Sequence, residues 1–384
     1  MSGVQEFKDQ FGGSPEITVK SPGRINLIGE HVDYLDGCVM PIAIDRHLTI
    51  FAAPSGNNRC SIWPAGFGLS EPAEFDLSKL VQRELAEENW LNYVFGVISG
   101  YQGAGVDVPG FHAVITSDLP LGAGLSSSAA LETAVALLIE TMSGVNQDVV
   151  DRALLCQQAE HEWANVPCGI MDQLAVGAGR EGQVLHLDCR DLKLSFIDLP
   201  QEVSILTAET GVKHALGDGE YRKRRESCDA ALKILQLESF RDATLDEVKA
   251  KKDQLGDMLF RRARHAVTEM ERVESFAKAL RDGEVDRIAP LMRASHESLR
   301  DDFEVSCEEL DALVAAAYDF GTERGLIGSR MTGGGFGGST VSLVRSSEAG
   351  ALCEMLEKSY QEKFGRKLNC FITSAVDGAR AATI

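Results

Sequence analysis

Residues 111–144 read FHAVITSDLPLGAGLSSSAALETAVALLIETMSG, which combines a strand pattern, a glycine-rich turn and an apolar helix pattern. The β-branched and aromatic residues of 111–117 predict a strand. From Leu125 onward, apolar residues recur at helical spacing with few charges, which predicts a helix that is buried on most sides and stops at Gly144. In this arrangement the turn lies at the positive end of the helix dipole.

The turn itself, PLGAGLSSSAA at 120–130, predicts a phosphate-binding site. Backbone N–H groups at a helix start are unpaired and attract anions. The hydroxyls of Ser126, Ser127 and Ser128 add hydrogen-bond donors or a ligand for Mg²⁺. The chain contains no G-x-x-x-x-G-K-[ST] sequence, so this turn is not the common P-loop. The alternative is a glycine-rich connector in which a serine caps the helix.

The rest of the chain alternates blocks of strand pattern with blocks of helical pattern, which indicates an α+β fold. A length of 384 residues suggests two domains, and we place their boundary near residue 200, giving an N-terminal lobe over 1–200 and a C-terminal lobe over 201–384. Further strands are predicted at 16–20, 47–53, 184–189 and 203–208, and further helices at 147–162, after Gly169, within 219–282, and at 284–298, 308–322 and 347–364.

The composition excludes several classes of protein. The 38 basic and 58 acidic residues give a net charge of −20, which opposes binding to nucleic acid or to an anionic membrane surface. The nine cysteines occur singly and form no C-x-x-C pair, which is typical of reduced thiols in the cytoplasm. The polar N-terminus does not look like a signal peptide, and we find no apolar run of membrane-spanning length.

A polar cluster lies in SPGRINLIGEHVDYLDG, residues 21–37. Glycine and proline punctuate this stretch, so we expect Arg24, Glu30, His31 and Asp33 to lie on a turn. Carboxylates and a histidine in a loop can accept hydrogen bonds from neighbouring hydroxyls, and a sugar presents such hydroxyls. The alternative is a solvated polar loop.

A second glycine cluster, GSRMTGGGFGGS at 328–339, has five glycines in the six positions 333–338. This composition cannot form a stable helix or strand interior. It indicates close approach of the backbone to a ligand or to another backbone, or else a flexible hairpin. Glu160 and Asp172 are candidates for a metal ligand and a catalytic carboxylate, whereas the aromatic stripe over 90–101 is more typical of a core helix.

The segments GRINLIGEHVDY (23–34), PLGAGLSSSAA and RMTGGGFGG (330–338) resemble, in this order, the three signature motifs of the GHMP small-molecule kinases. The first motif, together with CGIMDQ at 168–173, is similar to that of the galactokinases. The resemblance implies two α+β lobes with the active site in the cleft between them. It also implies transfer of the γ-phosphoryl group of MgATP to the anomeric hydroxyl of α-D-galactose, giving galactose 1-phosphate and ADP.

The resemblance also implies roles for individual residues. Asp172 and Arg24 match the family's catalytic pair, and Ser128 and Glu160 match its Mg²⁺ ligands. The matched sugar contacts are Glu30, His31, Asp33, Gly169, Asp172 and Tyr221, and the matched nucleotide contacts are Trp90, Tyr93, Gly122, Ala123, Gly124, Leu125, Ser126, Ser127 and Ser128. The resemblance thus changes the interpretation of the aromatic stripe from core packing to nucleotide contact.

Two alternatives stay open. A kinase for a related sugar, such as N-acetylgalactosamine or L-arabinose, would keep the same fold and motifs. A non-catalytic sensor of galactose and ATP would bind both ligands without turnover, although Ser128, Ala129, Arg24 and Asp172 are all present. In each case the partners are small molecules, and we expect a monomer in the cytoplasm.

Overall fold

The computed structural model describes residues 3–66, 71–120, 124–213 and 217–384. Its helices are α1 (Gly3–Phe11), α2 (Leu91–Gly103), α3 (Ser127–Ser143), α4 (Val149–Trp163), α5 (Met171–Ala178), α6 (Gly217–Leu235), α7 (Leu245–Ala250), α8 (Lys252–Arg281), α9 (Ile288–Asp301), α10 (Glu308–Phe320) and α11 (Ala349–Phe364). Its strands are β1 (Ile17–Asn26), β2 (Cys38–Val39), β3 (Pro41–Pro54), β4 (Arg59–Pro64), β5 (Ala73–Asp76), β6 (Phe111–Ser117), β7 (Gln183–Asp188), β8 (Lys193–Asp198), β9 (Val203–Lys213), β10 (Leu326–Thr332), β11 (Gly337–Arg345), β12 (Asn369–Thr373) and β13 (Arg380–Thr383).

The first sheet has the strand order β13-β1-β3-β6-β4-β5. Strand β1 is longer than predicted, because its pairing with β3 shifts register between Pro22 and Arg24 and then continues to Asn26. The expectation that Arg24 lies on a turn is therefore wrong. The register shift accommodates Pro22 and Gly23 within the strand, as β-bulges commonly do.

Helix α3 packs against β1 and β3 and against α2 and α4. It is buried along most of its length, as its apolar pattern predicts, and it ends at Gly144 in the left-handed conformation. Two carboxylates, Glu132 and Glu140, are buried within this helix. Glu140 forms a bidentate pair with Arg152 of α4 at 2.8 and 2.7 Å, so its charge is compensated.

The second half of the chain forms a four-stranded antiparallel sheet with the order β10-β11-β9-β12. Every residue of β10 is buried, and α9 and α10 both contact this strand. Residues 333–336 of the glycine cluster connect β10 to β11, and Gly337 and Gly338 already belong to β11. The last strand, β13, pairs with β1, so the chain returns to the first sheet at its C-terminal end. The domain boundary near residue 200 stays a prediction.

A small three-stranded sheet, β2-β7-β8, contacts β3 of the first sheet and helix α8. The strands β2, β4, β5, β8 and β13 were not predicted; each is only two to six residues long, which leaves little room for a recognisable pattern. One continuous apolar core joins the first sheet, α2 and α3 to residues of α8, α9 and β11. This shared core holds the motif-bearing segments of both halves in one fixed arrangement.

Candidate active site

A cavity of about 280 Å³ lies where the loop after β1, the start of α5 and the glycine cluster meet. The structure brings together in its lining the residues predicted for catalysis, sugar binding and metal binding other than Ser128. They are Arg24, Glu30, His31, Asp33, Glu160, Gly169, Asp172 and Tyr221.

A larger open cavity of about 620 Å³ lies elsewhere, against β1, β3 and the end of β6. Its lining includes Lys20, His47, Asp118 and Arg380 but no residue of the three motifs that predict the site. Volume alone does not identify an active site, whereas convergent polar groups with a consistent chemistry do. We therefore place the site in the smaller cavity.

Arg24 and Asp172 form a bidentate pair in this cavity. Arg24 Nε donates to Asp172 Oδ1 at 2.8 Å, and Nη2 donates to Oδ2 at 3.0 Å. The Arg24 guanidinium also donates to the carbonyl of Gly124, and the hydroxyl of Ser126 donates to Asp172 Oδ2. Asp172 lies in the first turn of α5, where the helix dipole favours a negative charge. These contacts fix the orientation of the carboxylate and keep a cation beside it.

Ser126 precedes α3 in the left-handed conformation, with φ 58° and ψ 49°, and its side chain makes no cap bond. The serine-cap interpretation is therefore wrong for this residue, because the hydroxyl goes to Asp172 instead. The left-handed conformation is strained for a residue other than glycine, and here it directs the Ser126 hydroxyl to Asp172. Ser127 and Ser128 begin α3, whereas Gly122 and Ala123 lie outside the described residues.

The side chain of Asp33 packs directly against Gly169. A Cβ placed on Gly169 would lie 1.9 Å from Asp33 Oδ2, so only glycine fits there. Burial raises the pKa of Asp33 to about 7, and the charges of Asp172 and Glu30 add to this effect. The cavity is therefore rich in carboxyl groups, which can form hydrogen bonds with the hydroxyls of a neutral polyol.

We expect Gly169→Ala to raise the KM of the sugar substrate by at least about tenfold, because the new methyl group displaces the Asp33 carboxylate. Steady-state kinetics with varied sugar measure this effect. The matched control is Gly103→Ala at the end of α2, where nothing lies within 4 Å of the added Cβ. An unchanged KM in Gly169→Ala would contradict the assignment of Asp33 to the sugar site.

The His31 ring is neutral, and both of its nitrogens form hydrogen bonds with other residues of the chain. Its Nε2 lies 3.1 Å from the carbonyl oxygen of Gly334, which can only accept, so Nε2 carries the proton. Nδ1 then accepts from the hydroxyl of Tyr34 at 3.0 Å. Burial lowers the pKa of His31 to about 3, so the ring stays uncharged at neutral pH. The ring also packs on Tyr221 at a centroid distance of 5.3 Å and thus shapes the cavity wall.

Glu30 joins the loop after β1 to the glycine cluster. Its Oε1 accepts from Thr332 Oγ1 at 3.0 Å and from the backbone N–H of Gly333 at 2.7 Å. The fully buried Arg330 lies 3.4 Å away, and Asn26 donates to Oε2. The glycine cluster thus approaches another backbone segment closely, as predicted. Sequence reasoning missed Arg330 and Asn26, although a charged residue inside a buried strand was an available signal.

A second group of carboxylates lies beside the Arg24–Asp172 ion pair. Burial and the charge of Asp172 raise the pKa of Glu160 to about 7, and Ser128 donates a hydrogen bond to its carboxylate. Gln173 Nε2 lies 2.8 Å from Glu160 Oε2 and 3.2 Å from Glu132 Oε2. Burial and the Glu160 charge raise the pKa of Glu132 well above its usual value, and its Oε1 has no hydrogen-bond partner.

This excess of buried carboxylate, with an orphaned oxygen among it, fits a hard divalent cation such as Mg²⁺. The predicted ligands Ser128 and Glu160 are brought together as expected. Sequence reasoning missed Glu132, whose signal was an acidic residue inside an apolar helix pattern. Trp90 and Tyr93, the predicted nucleotide contacts, lie at the start of α2 and pack, partly buried, against the main core.

Models of known families match three parts of the chain. The galactokinase galactose-binding signature matches residues 5–54. The GHMP kinases N terminal domain matches residues 92–180, and the GHMP kinases C terminal domain matches residues 276–362. A mevalonate kinase structure from Methanococcus jannaschii shares the fold, with a TM-score of 0.66 and 18% identity over 95% of this chain and 99% of that one. Together, these matches define a GHMP kinase.

Relatives of higher sequence identity show which family of GHMP kinases the chain belongs to. Galactokinase from Homo sapiens is 41% identical over 378 residues, covering 97% of this chain and 94% of that protein. Galactokinase from Chloroflexus aurantiacus is 39% identical over 377 residues, covering 97% and 95%. The structure of Lactococcus lactis galactokinase complexed with galactose has a TM-score of 0.92 and 33% identity, covering 98% of both chains. The chain belongs to the galactokinase family, and it is an ATP-dependent sugar kinase.

Proposed function

We propose that this enzyme transfers the γ-phosphoryl group of ATP to the anomeric O1 of α-D-galactose, giving galactose 1-phosphate and ADP. The observation that carries the proposal is the Arg24–Asp172–Ser126 cluster, held in a cavity whose other polar groups suit a sugar. The Lactococcus lactis relative was solved in complex with galactose, which supports the same substrate here.

In this reaction the bond from O1 to phosphorus forms and the bond from phosphorus to the ADP oxygen breaks. Asp172 orients the anomeric hydroxyl and takes its proton, because its carboxylate is fixed by Arg24 and Ser126. Arg24 supplies positive charge beside the transferred group without needing to reorganise. When Mg²⁺ is bound, it neutralises charge on the phosphates, and Ser128 and Glu160 would hold it. The backbone of residues 122–128 would bind the phosphates, with Trp90 and Tyr93 near the adenine.

Sugar selectivity would come from Asp33 and Tyr221, which we assign to the C4 side of galactose. A buried polar group that faces a specific hydroxyl discriminates strongly, because the wrong epimer leaves that group unpaired. Glu30, His31 and Gly169 would complete the sugar pocket. Since the protein already uses both ring nitrogens of His31 and both oxygens of Glu30, these two residues act mainly by shaping the pocket.

We also infer a cytoplasmic monomer that does not bind nucleic acid. All nine cysteines are free thiols, a usage typical of reducing compartments. Among the described residues, no helix is both long and apolar enough to cross a membrane. The net charge of −20 opposes binding to polyanions.

The test measures the release of ADP from MgATP with a coupled assay. The assay is run with galactose, glucose, N-acetylgalactosamine, L-arabinose or no sugar. We expect turnover with galactose to exceed turnover with each other sugar by at least about 100-fold, the size of one unpaired polar contact. Galactose binding without ADP release would instead identify a sensor. Faster turnover with another sugar would keep the kinase mechanism but overturn the assignment of Asp33 and Tyr221.

A further inference from the structure

A cysteine, a histidine and a glutamate meet at a place outside the sugar cavity. Cys38 lies in β2, His186 in β7 and Glu274 in α8. One ligand atom of each side chain lies within 4.8 Å of the ligand atoms of the other two. Cys38 is buried, and the side chains of His186 and Glu274 are 13% and 57% exposed, so the cluster opens toward solvent on the glutamate side.

We propose that Cys38, His186 and Glu274 form a Zn²⁺ site that links the small sheet to helix α8. Thiolate, imidazole and carboxylate are the donors that Zn²⁺ takes in proteins, and three of them leave a fourth position for water. The 3.1 Å distance between His186 Nε2 and Glu274 Oε1 agrees with two ligands of one ion, whose bonds of about 2.0–2.2 Å put neighbouring donor atoms roughly 3–4 Å apart.

The hydrogen bonds around His186 present the correct nitrogen to the ion. The Glu274 carboxylate can only accept, so His186 Nε2 carries the proton and donates to Glu274 Oε1 at 3.1 Å. Zn²⁺ would take the place of this proton between the two side chains. The proton would move to Nδ1, where Ser195 Oγ, 3.3 Å away, can accept it while donating to the carbonyl of His186 at 3.2 Å. An outer hydrogen bond of this kind is a regular partner of metal-binding histidines.

The charges near the cluster allow a divalent ion. Arg241 is close to Cys38, but Asp188 holds its guanidinium through both carboxylate oxygens, which offsets its positive charge. Arg281 acts on Glu274 only as a more distant charge. When Zn²⁺ binds, the S–H bond of Cys38 breaks, the Zn–S bond forms and the proton passes to solvent. The ion thus meets two negative ligands and one neutral ligand.

A cavity of about 250 Å³, lined in part by Cys38, Arg241 and Glu274, gives solvent access to the cluster.

The ion would also support the loop that carries the predicted sugar-binding residues. Cys38 follows Gly37, whose N–H closes that loop on the carbonyl of Val32 at 2.8 Å. Helix α8 already holds the same loop, because Glu269 accepts from the N–H of Gly29 at 3.0 Å. A Zn²⁺ link between β2 and α8 would stiffen this contact, so we assign it a structural role.

The experiment titrates the metal-free, full-length protein with Co²⁺ and then with Zn²⁺, in the presence of excess Mg²⁺. We expect one Co²⁺ per chain with a thiolate-to-cobalt charge-transfer band and the visible bands of tetrahedral cobalt, and displacement by one equivalent of Zn²⁺. Cys38→Ser and His186→Gln should each weaken Zn²⁺ affinity by at least about 100-fold, as expected for a lost ligand. Zn²⁺ should raise the Tm of the unmodified protein and leave that of both variants unchanged.

The matched controls are Cys60→Ser, which removes another buried thiol in β4, and His112→Gln, which removes a histidine of β6. Both should bind Co²⁺ and Zn²⁺ like the unmodified protein. Circular dichroism of Cys38→Ser and His186→Gln establishes that they fold. The proposal is overturned if no thiolate band forms, or if binding survives Cys38→Ser. A band that is lost in Cys168→Ser instead would place the ion at the Glu160 carboxylate, against the proposal.

Discussion

Asp172→Asn is expected to lower kcat with galactose by roughly 10²- to 10⁴-fold, the range that a positioned proton acceptor contributes. The amide keeps the shape of the carboxylate and can still accept from Arg24 Nε, but it has neither the charge nor the basicity to take the O1 proton. Because the other predicted sugar contacts are unchanged, the Kd of galactose should change much less than kcat. Single-turnover kinetics and equilibrium binding of galactose measure the two effects separately.

Glu140→Gln is the matched control for this variant. Glu140 also forms a bidentate pair with an arginine, at 2.8 and 2.7 Å to Arg152, and it also accepts a hydroxyl bond, from Tyr101. The change lies on the same lobe but outside the cavity, so we expect a loss of thermal stability with kcat close to that of the unmodified enzyme. Equal losses of kcat in the two variants would show that pair disruption, and not catalysis, explains the effect at Asp172.

Glu160→Gln should raise the Mg²⁺ concentration needed for half-maximal activity by at least about tenfold, which corresponds to about 1.4 kcal/mol. Glu160 is the carboxylate that Ser128 contacts, and the cluster holds more buried acid than its neighbours neutralise. Removing one charge therefore weakens the attraction for the cation while retaining the volume of the side chain. Initial rates at fixed ATP and varied free Mg²⁺ give the measurement.

Glu162→Gln provides the control on the same helix. Its carboxylate accepts from Gln158 on the surface of α4 at 2.8 Å and lies apart from the cavity lining. Its Mg²⁺ dependence should match that of the unmodified enzyme. If Glu160→Gln shows the same Mg²⁺ dependence as this control, the cation is held by other groups, and Glu132 becomes the first alternative to examine.

Several expectations about the site could be made because each motif is a short stretch with its own chemistry. The polar residues of 21–37 and Asp172 are each recognisable by type and spacing, and the structure gathers them at one cavity, where Ser126 reaches Asp172 through a hydrogen bond. The prediction for Arg24 was right about its partner and wrong about its backbone, since a register shift lets β1 continue through the glycine. Local turn signals cannot reveal that a strand resumes after an irregularity.

Other features of the site are contacts between residues that lie far apart in the sequence. No sequence pattern links such residues to one another. Arg330 meets Glu30 across the two halves of the chain, and Glu132 meets Glu160 between two helices. Cys38, His186 and Glu274 come from three separate elements, so no metal-binding spacing appears in the sequence. A buried charge in an apolar pattern was the most that the sequence could show of Arg330 and Glu132.

The order of the motifs, the strand at 111–117 and the buried helix that follows the glycine-rich segment were readable from the amino-acid sequence, because each depends on neighbours along the chain. The conformation of Ser126, the neutral state of His31 and the raised pKa values of Asp33 and Glu160 came only with the tertiary structure. Burial and the charges of residues far apart in the chain determine these properties, and both arise only when the two halves pack on one core.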